Sequence, residues 1–103
     1  MKMLRVFLAN RGNIDHNQDP TKSLYGTWTD YFETVHDEQH ASEMVRKYIE
    51  KYDLGGGNFV GGQIVTPEDE MIAYVSYNGR VWGKDSKYFA EEKARYERNY
   101  AAN

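Results

Sequence analysis

Cysteine is absent from the 103-residue chain, and proline occurs only twice. Without thiols there are neither disulfide staples nor thiolate metal sites, so stability must come from an ordinary core. That suits a reducing compartment, and a cytoplasmic location is expected. Long apolar runs are missing too. The opening stretch "MKMLRVFLANRG" is cut by Arg5 and closed by Asn10 and Arg11, too short for a secretory or membrane-spanning segment. An excess of positive charge is also lacking. With 13 Lys and Arg against 16 Asp and Glu the net charge is −3, which removes the general basic footprint of a nucleic-acid binder. No direct nucleic-acid binding and no membrane association are expected.

What is present is globular. Hydrophobic residues make up 40% and charged residues 28%, and the length fits one modest core, so a single domain over residues 1–103 is expected. Aromatics reach 15%, with nine Tyr and two Trp, high for so short a chain. Such side chains bury much area while keeping a polar tip in water, and they also favour contact surfaces.

"MLRVFLAN" predicts a strand with Val6 and Leu8 on one face and Arg5, Phe7 and Ala9 on the other. A polar loop, "RGNIDHNQDPTKS", follows. "YGTWTDYFETV" predicts a second strand, bulged near Gly26. Ala41, Met44, Val45, Tyr48, Ile49 and Tyr52 then recur at helical spacing, with Glu43, Arg46, Lys47, Glu50 and Lys51 on the other face. Asp37 is the expected N-cap of this helix, residues 37–53. "NFVGGQIVT" and "MIAYVSY" read as strands joined by the turn "PEDE". Asn78-Gly79 predicts a type I′ hairpin turn, and "RVWG" is its return strand. From Ser86 a second helix is expected, its stripe Phe89, Lys93, Tyr96 and Tyr100, lying across the sheet or projecting from it. The fold class is α+β: an antiparallel sheet of four to five strands, one covering amphipathic helix and a C-terminal helix.

The ten residues "DLGGGNFVGG", Asp53 to Gly62, hold five of the nine glycines. A dinucleotide loop needs G-x-G-x-x-G leading from strand into helix, but Val60 stands at the last glycine position and the element order is reversed. A Walker loop needs Gly-Lys-Ser/Thr, and no Lys follows Gly61 or Gly62. The stretch reads instead as a turn, with Gly55 left-handed after the helix and Gly61-Gly62 marking a bulge or a close backbone approach.

Three sets of side chains could carry chemistry. His36 and His40 could share a helix face at metal-ligand spacing, but "HDEQH" is not the H-E-x-x-H motif, and histidines near a capped helix start are more often solvated or capping groups. Acids gather as Asp30, Glu33, Asp37 and Glu38, and again as Glu68, Asp69 and Glu70, giving solvated turns, a carboxylate pair or an acidic docking patch. Tyr74, Tyr77, Arg80 and Trp82 flank the hairpin turn, a composition suited to cross-strand packing, to interface anchors or to base stacking. No nucleophile triad, cofactor motif or catalytic set emerges, so neither an enzyme nor a cofactor is expected.

"RVFLAN" (Arg5 to Asn10) followed by "LYGTWTD" (Leu24 to Asp30) resembles the opening of ArdA-type antirestriction proteins. The resemblance covers about a quarter of the chain. It implies a small α+β protein of a phage, plasmid or conjugative element that imitates DNA phosphate charge and blocks host restriction without catalysis. The expected function is therefore a non-catalytic inhibitor that binds a host nucleic-acid-targeting defence complex, a CRISPR effector or a restriction enzyme. Asp30, Glu33, Glu68, Asp69 and Glu70 would enter a basic groove, with Tyr77, Arg80 and Trp82 as anchors. Two alternatives stay open. One is a single-strand nucleic-acid-binding domain using the aromatic hairpin with Lys84, Lys87, Lys93, Arg95 and Arg98. The other is a small metal-dependent enzyme built on His36 and His40.

Overall fold

A computed structural model describes residues 3–26 and 29–102, with side chains to residue 94 in the last helix. Five strands form one antiparallel sheet in the order β2-β1-β3-β4-β5. They are β1 Leu4–Leu8, β2 Tyr31–Val35, β3 Gln63–Val65, β4 Met71–Val75 and β5 Val81–Trp82. Helix α1, Glu38–Lys51, follows β2, and α2, Lys87–Ala102, follows β5. The architecture is the expected α+β.

The period-2 pattern of β1 sends Val6 and Leu8 into the core against Val35, Ile64, Ala73 and Val75 of the neighbouring strands. Helix α1 closes that face with Ala41, Val45, Tyr48 and Ile49, the centre of the stripe read from the sequence. Its start is capped twice. The Asp37 carboxylate accepts from His40 N at 2.8 Å, and His40 Nδ1 accepts from His36 N at 3.0 Å. Orphan amides at the helix entry are thus satisfied from both sides.

The opposite face holds a second cluster, Val65, Met71 and Phe89, with Phe32 and Tyr74 packed beside it. A register shift makes it possible. Ile64 pairs with Ala73 but Val65 pairs with Met71, so Ile72 is an extra residue and Met71 turns to the face of Val65. Phe89 is the anchor that seats the start of α2 there, so α2 lies across the sheet on the side opposite α1. Ser86 caps it, its Oγ accepting from Tyr88 N at 3.1 Å. The rest of the predicted stripe, Tyr96 and Tyr100, lies outside the described side chains.

Three local expectations are corrected. The second strand begins only at Tyr31, and Gly26, at φ +100, is a turn rather than a bulge; Thr27 and Trp28 lie outside the described residues. Helix α1 ends in a left-handed Asp53, φ +50, not Gly55. Asp53 N donates to Glu50 O at 3.3 Å and Leu54 N to Ile49 O at 3.0 Å, the paired bonds of a Schellman ending. Buried Leu54 supplies its apolar contact, so side-chain burial one residue later fixed which residue took the strained position. Finally, only Gly79 of the Asn78-Gly79 pair has positive φ, +88. Gly79 N donates to Ser76 O at 2.8 Å and Ser76 N to Arg80 O at 2.9 Å, so the hairpin has a three-residue loop with a glycine bulge instead of a type I′ turn.

The glycine stretch is structural. Gly62, φ +111, donates to Phe7 O at 2.7 Å and accepts from Val75 N at 2.8 Å, and a Cβ there would run into the Val75 carbonyl. Asn58 Nδ2 ties the same stretch to the 11–23 loop through Arg11 O at 2.9 Å and Gln18 Oε1 at 3.0 Å.

Candidate partner-binding surface

The β4–β5 hairpin tip is clamped onto α1. Ser42 Oγ donates to Gly79 O, and Arg46 Nη1 donates to Tyr77 O at 2.6 Å. The Arg46 guanidinium also lies 5.5 Å from the Tyr77 ring centroid, and Tyr77 Oη donates to Leu54 O at 2.8 Å. Tyr77 is therefore fixed at both ends while 38% of it remains exposed. On the return strand, Arg80 stacks 5.5 Å from the Trp82 ring, and Trp82 packs 4.6 Å from Tyr88 of α2. Ser76, Tyr77, Asn78, Arg80, Trp82 and Tyr88 line an open groove of about 340 Å³. Its walls are aromatic and cationic, and among the described residues no carboxylate lines it.

The structure brings the predicted anchors Tyr77, Arg80 and Trp82 together but separates the predicted acids. Glu68, Asp69 and Glu70 occupy the turn at the other end of β4, where Asp69 pairs with Arg5 and Glu70 lies 3.7 Å from Lys84. Asp30 is mostly covered, its Oδ2 accepting from Arg11 Nη1 at 2.5 Å and Ser23 Oγ at 3.1 Å. Glu33 pairs with Val6, which puts it on the α1 side of the edge strand. These acids occupy separate places and most already hold a cation, which weakens the field of an acidic patch. Tyr88 is the groove residue that sequence reasoning missed. Its signal was its place beside Phe89 at the start of the second helix, but nothing local says which strand it meets.

His36 and His40 stack with ring centroids 5.0 Å apart, and His40 spends Nδ1 on the helix cap. Among the described residues no group of three His, Asp or Glu is gathered where a metal could sit. Of the basic residues considered for nucleic acid, Lys84 is paired with Glu70 and Lys87 and Lys93 are exposed. Arg95 and Arg98 lie outside the described side chains.

The stretch that carries the ArdA-like residues is built around a buried polar network. Asn10 Nδ2 donates to Thr29 Oγ1 and to Tyr48 Oη, both at 2.8 Å, and Asn10 Oδ1 accepts from Leu24 N at 2.7 Å. Tyr48 Oη donates to Thr29 O at 2.7 Å, and Thr29 Oγ1 donates to Gly26 O at 2.6 Å. Burial raises the Tyr48 phenol above its ordinary value, with the bonds to Asn10 and Thr29 acting against that shift. Each of these groups finds a partner, so the network fixes Leu24 and Thr29 against the end of β1 and α1. No helix among the described residues is long and apolar enough to cross a membrane. No protein-family model, curated protein or solved structure matches this chain.

Proposed function

We propose that the protein is a non-catalytic inhibitor that binds a host nucleic-acid-targeting defence complex, with the hairpin groove as its anchor. The observation that carries this reading is the clamped tip. Tyr77, Arg80 and Trp82 of the hairpin and Tyr88 of α2 present Tyr, Trp and Arg, the residues enriched in interface hot spots, and the tip backbone at Tyr77 and Gly79 is already held by Arg46 and Ser42. A pre-fixed aromatic surface loses little conformational freedom on binding. The ArdA-like opening supplies the partner class, a restriction enzyme or a CRISPR effector. The paired state of Asp69, Glu70 and Asp30 shifts the weight from imitation of DNA charge to aromatic anchoring.

The test is survival of phage or plasmid in cells carrying the matching defence system, with stoichiometric inhibition by the purified protein. Trp82→Ala and Arg80→Ala should each abolish protection while the protein still melts cooperatively. Reversing Glu68, Asp69 and Glu70 to Lys should leave most of it. Protection lost in the reversal but kept in the groove variants would return the reading to charge mimicry, and no protection against any such system would sink it.

A further inference from the structure

On the α2 side of the sheet one row of side chains crosses all five strands. Phe32 of β2 pairs with Phe7 of β1, and their rings lie 5.0 Å apart. Gln63 of β3 comes next beside Phe7, whose carbonyl accepts from Gly62. Gln63 pairs with Tyr74 of β4, and Tyr74 with Trp82 of β5. At about 4.8 Å per strand the row is about 19 Å long. Each end carries a guanidinium stacked on its last ring: Arg5 is 5.0 Å from the Phe32 centroid, and Arg80 is 5.5 Å from that of Trp82.

The row is aromatic except at its centre, where Gln63 Nε2 donates to Val60 O at 3.4 Å, and one hydrogen-bonding atom at the centre and one at the end are unused. Gln63 is 2% exposed, yet its Oε1 has no hydrogen-bond partner among the described residues; neither has the buried Nε1 of Trp82. A buried polar atom without a partner is a standing cost of the state that buries it. Here that state is the one in which α2 packs on β3 and β4. Within residues 87–94 of α2, Phe89 and Glu92 are the buried ones, and Tyr88 stays 53% exposed. Within that stretch Phe89, packed with Val65 and Met71, is the apolar anchor of the cover.

We propose that the Phe32–Phe7–Gln63–Tyr74–Trp82 row is a platform for two or three bases of single-stranded nucleic acid, covered by α2 in the isolated chain. Nucleobases match the row on each count. Their faces stack on aromatic rings, and their edges carry both the donor that Gln63 Oε1 lacks and the acceptor that Trp82 Nε1 lacks. Arg5 and Arg80 stand where the strand's phosphates would pass, Arg5 exchanging Asp69 for a phosphate. An apolar protein segment would cover the rings but leave both polar atoms unpaired. Except at Trp82 and Arg80 the platform is separate from the hairpin groove, and it does not depend on the inhibitor reading.

The experiment uses the purified full chain and a fluorescent oligothymidylate, with no defence enzyme present, read by anisotropy at low salt. The wild type should bind weakly. Phe89→Ala unseats α2 and should tighten binding about tenfold or more, because the fraction of molecules with an open platform rises. Adding Phe7→Ala or Tyr74→Ala to that variant should return binding to the wild-type level. A cooperatively melting Phe89→Ala protein that binds no tighter than wild type overturns the proposal. So does tightening that survives loss of both rings, or dimerisation of the variant without oligonucleotide binding. Should Phe89→Ala fail to fold, Gln63→Leu decides. Removing the orphaned acceptor should slow amide exchange in α2 and abolish the residual oligonucleotide binding, and no change in either overturns the platform.

Discussion

The Asn10 side-chain amide donates to the Tyr48 hydroxyl at 2.8 Å, with both residues buried. That single contact joins the chain just past β1 to the last turn of α1, and through Thr29 it also reaches the residues just before β2. Tyr48→Phe strands the Thr29 carbonyl without its donor and should cost about 1–3 kcal/mol, the range for an unsatisfied buried group. Asn10→Ala should cost more, since the Leu24 amide and Thr29 hydroxyl lose partners too. Urea melts with an unchanged slope test both, and additive losses in the double variant would contradict a shared network.

Stability should fall at high pH through the same hydroxyl. Burial raises Tyr48, and also Tyr31, above the ordinary 10.0. The folded state then holds these protons more tightly than the unfolded chain. Their contribution is complete below the unfolded pKa and is lost as pH rises through the folded values. Thermal melts from about pH 9 to about pH 11 should show a decline beginning near the unperturbed tyrosine pKa. Tyr48→Phe should retain only the shallower part due to Tyr31.

At the end of α1, Asp53→Gly should stabilise the protein by about 0.5–1 kcal/mol, because glycine takes φ +50 without Cβ strain. Gly55 is not in the left-handed region, so Gly55→Ala should change stability far less than a left-handed glycine would. Paired thermal melts separate the two positions, and a large loss at Gly55 would place the strain there instead.

The apolar stripe of α1 sets the largest single-site loss. Ile49 is 3% exposed in the main core, and Ile49→Ala should cost about 2–5 kcal/mol by chemical denaturation. Lys47→Ala, on the exposed face, should stay within about 0.5 kcal/mol.

The features legible in the sequence were those set by near neighbours. The stripe from Ala41 to Ile49 and the Asp37 cap depend on residues within one helix, and both stand where the spacing puts them. Tyr77, Arg80 and Trp82 lie on one hairpin, so their convergence was visible too. The misreadings share a nonlocal cause. Residues 24–30 have strand-like composition, but Asn10 and Tyr48 draw Leu24 and Thr29 into side-chain hydrogen bonds and keep them off the sheet. The two acid clusters showed no cation partners in the sequence because Arg5, Arg11 and Lys84, which hold Asp69, Asp30 and Glu70, are distant along the chain. The five-strand row needs every register at once, including the extra residue at Ile72, and no local pattern encodes it.

The strand order places β1 between β2 and β3, with Arg5 donating to the carbonyl of Thr66 across 61 residues of chain. Closing that loop costs entropy before any contact across it gives a return. The β3–β4–β5 meander and the β1–β2 pair with α1 can each assemble from much shorter loops. Folding should therefore proceed through two subassemblies whose union is the late step, and until then β1 shows one bare hydrogen-bonding edge. During synthesis that edge stays open until β3 has left the ribosome, so the interval between those two strands is when this chain is most exposed to pairing with a neighbouring copy.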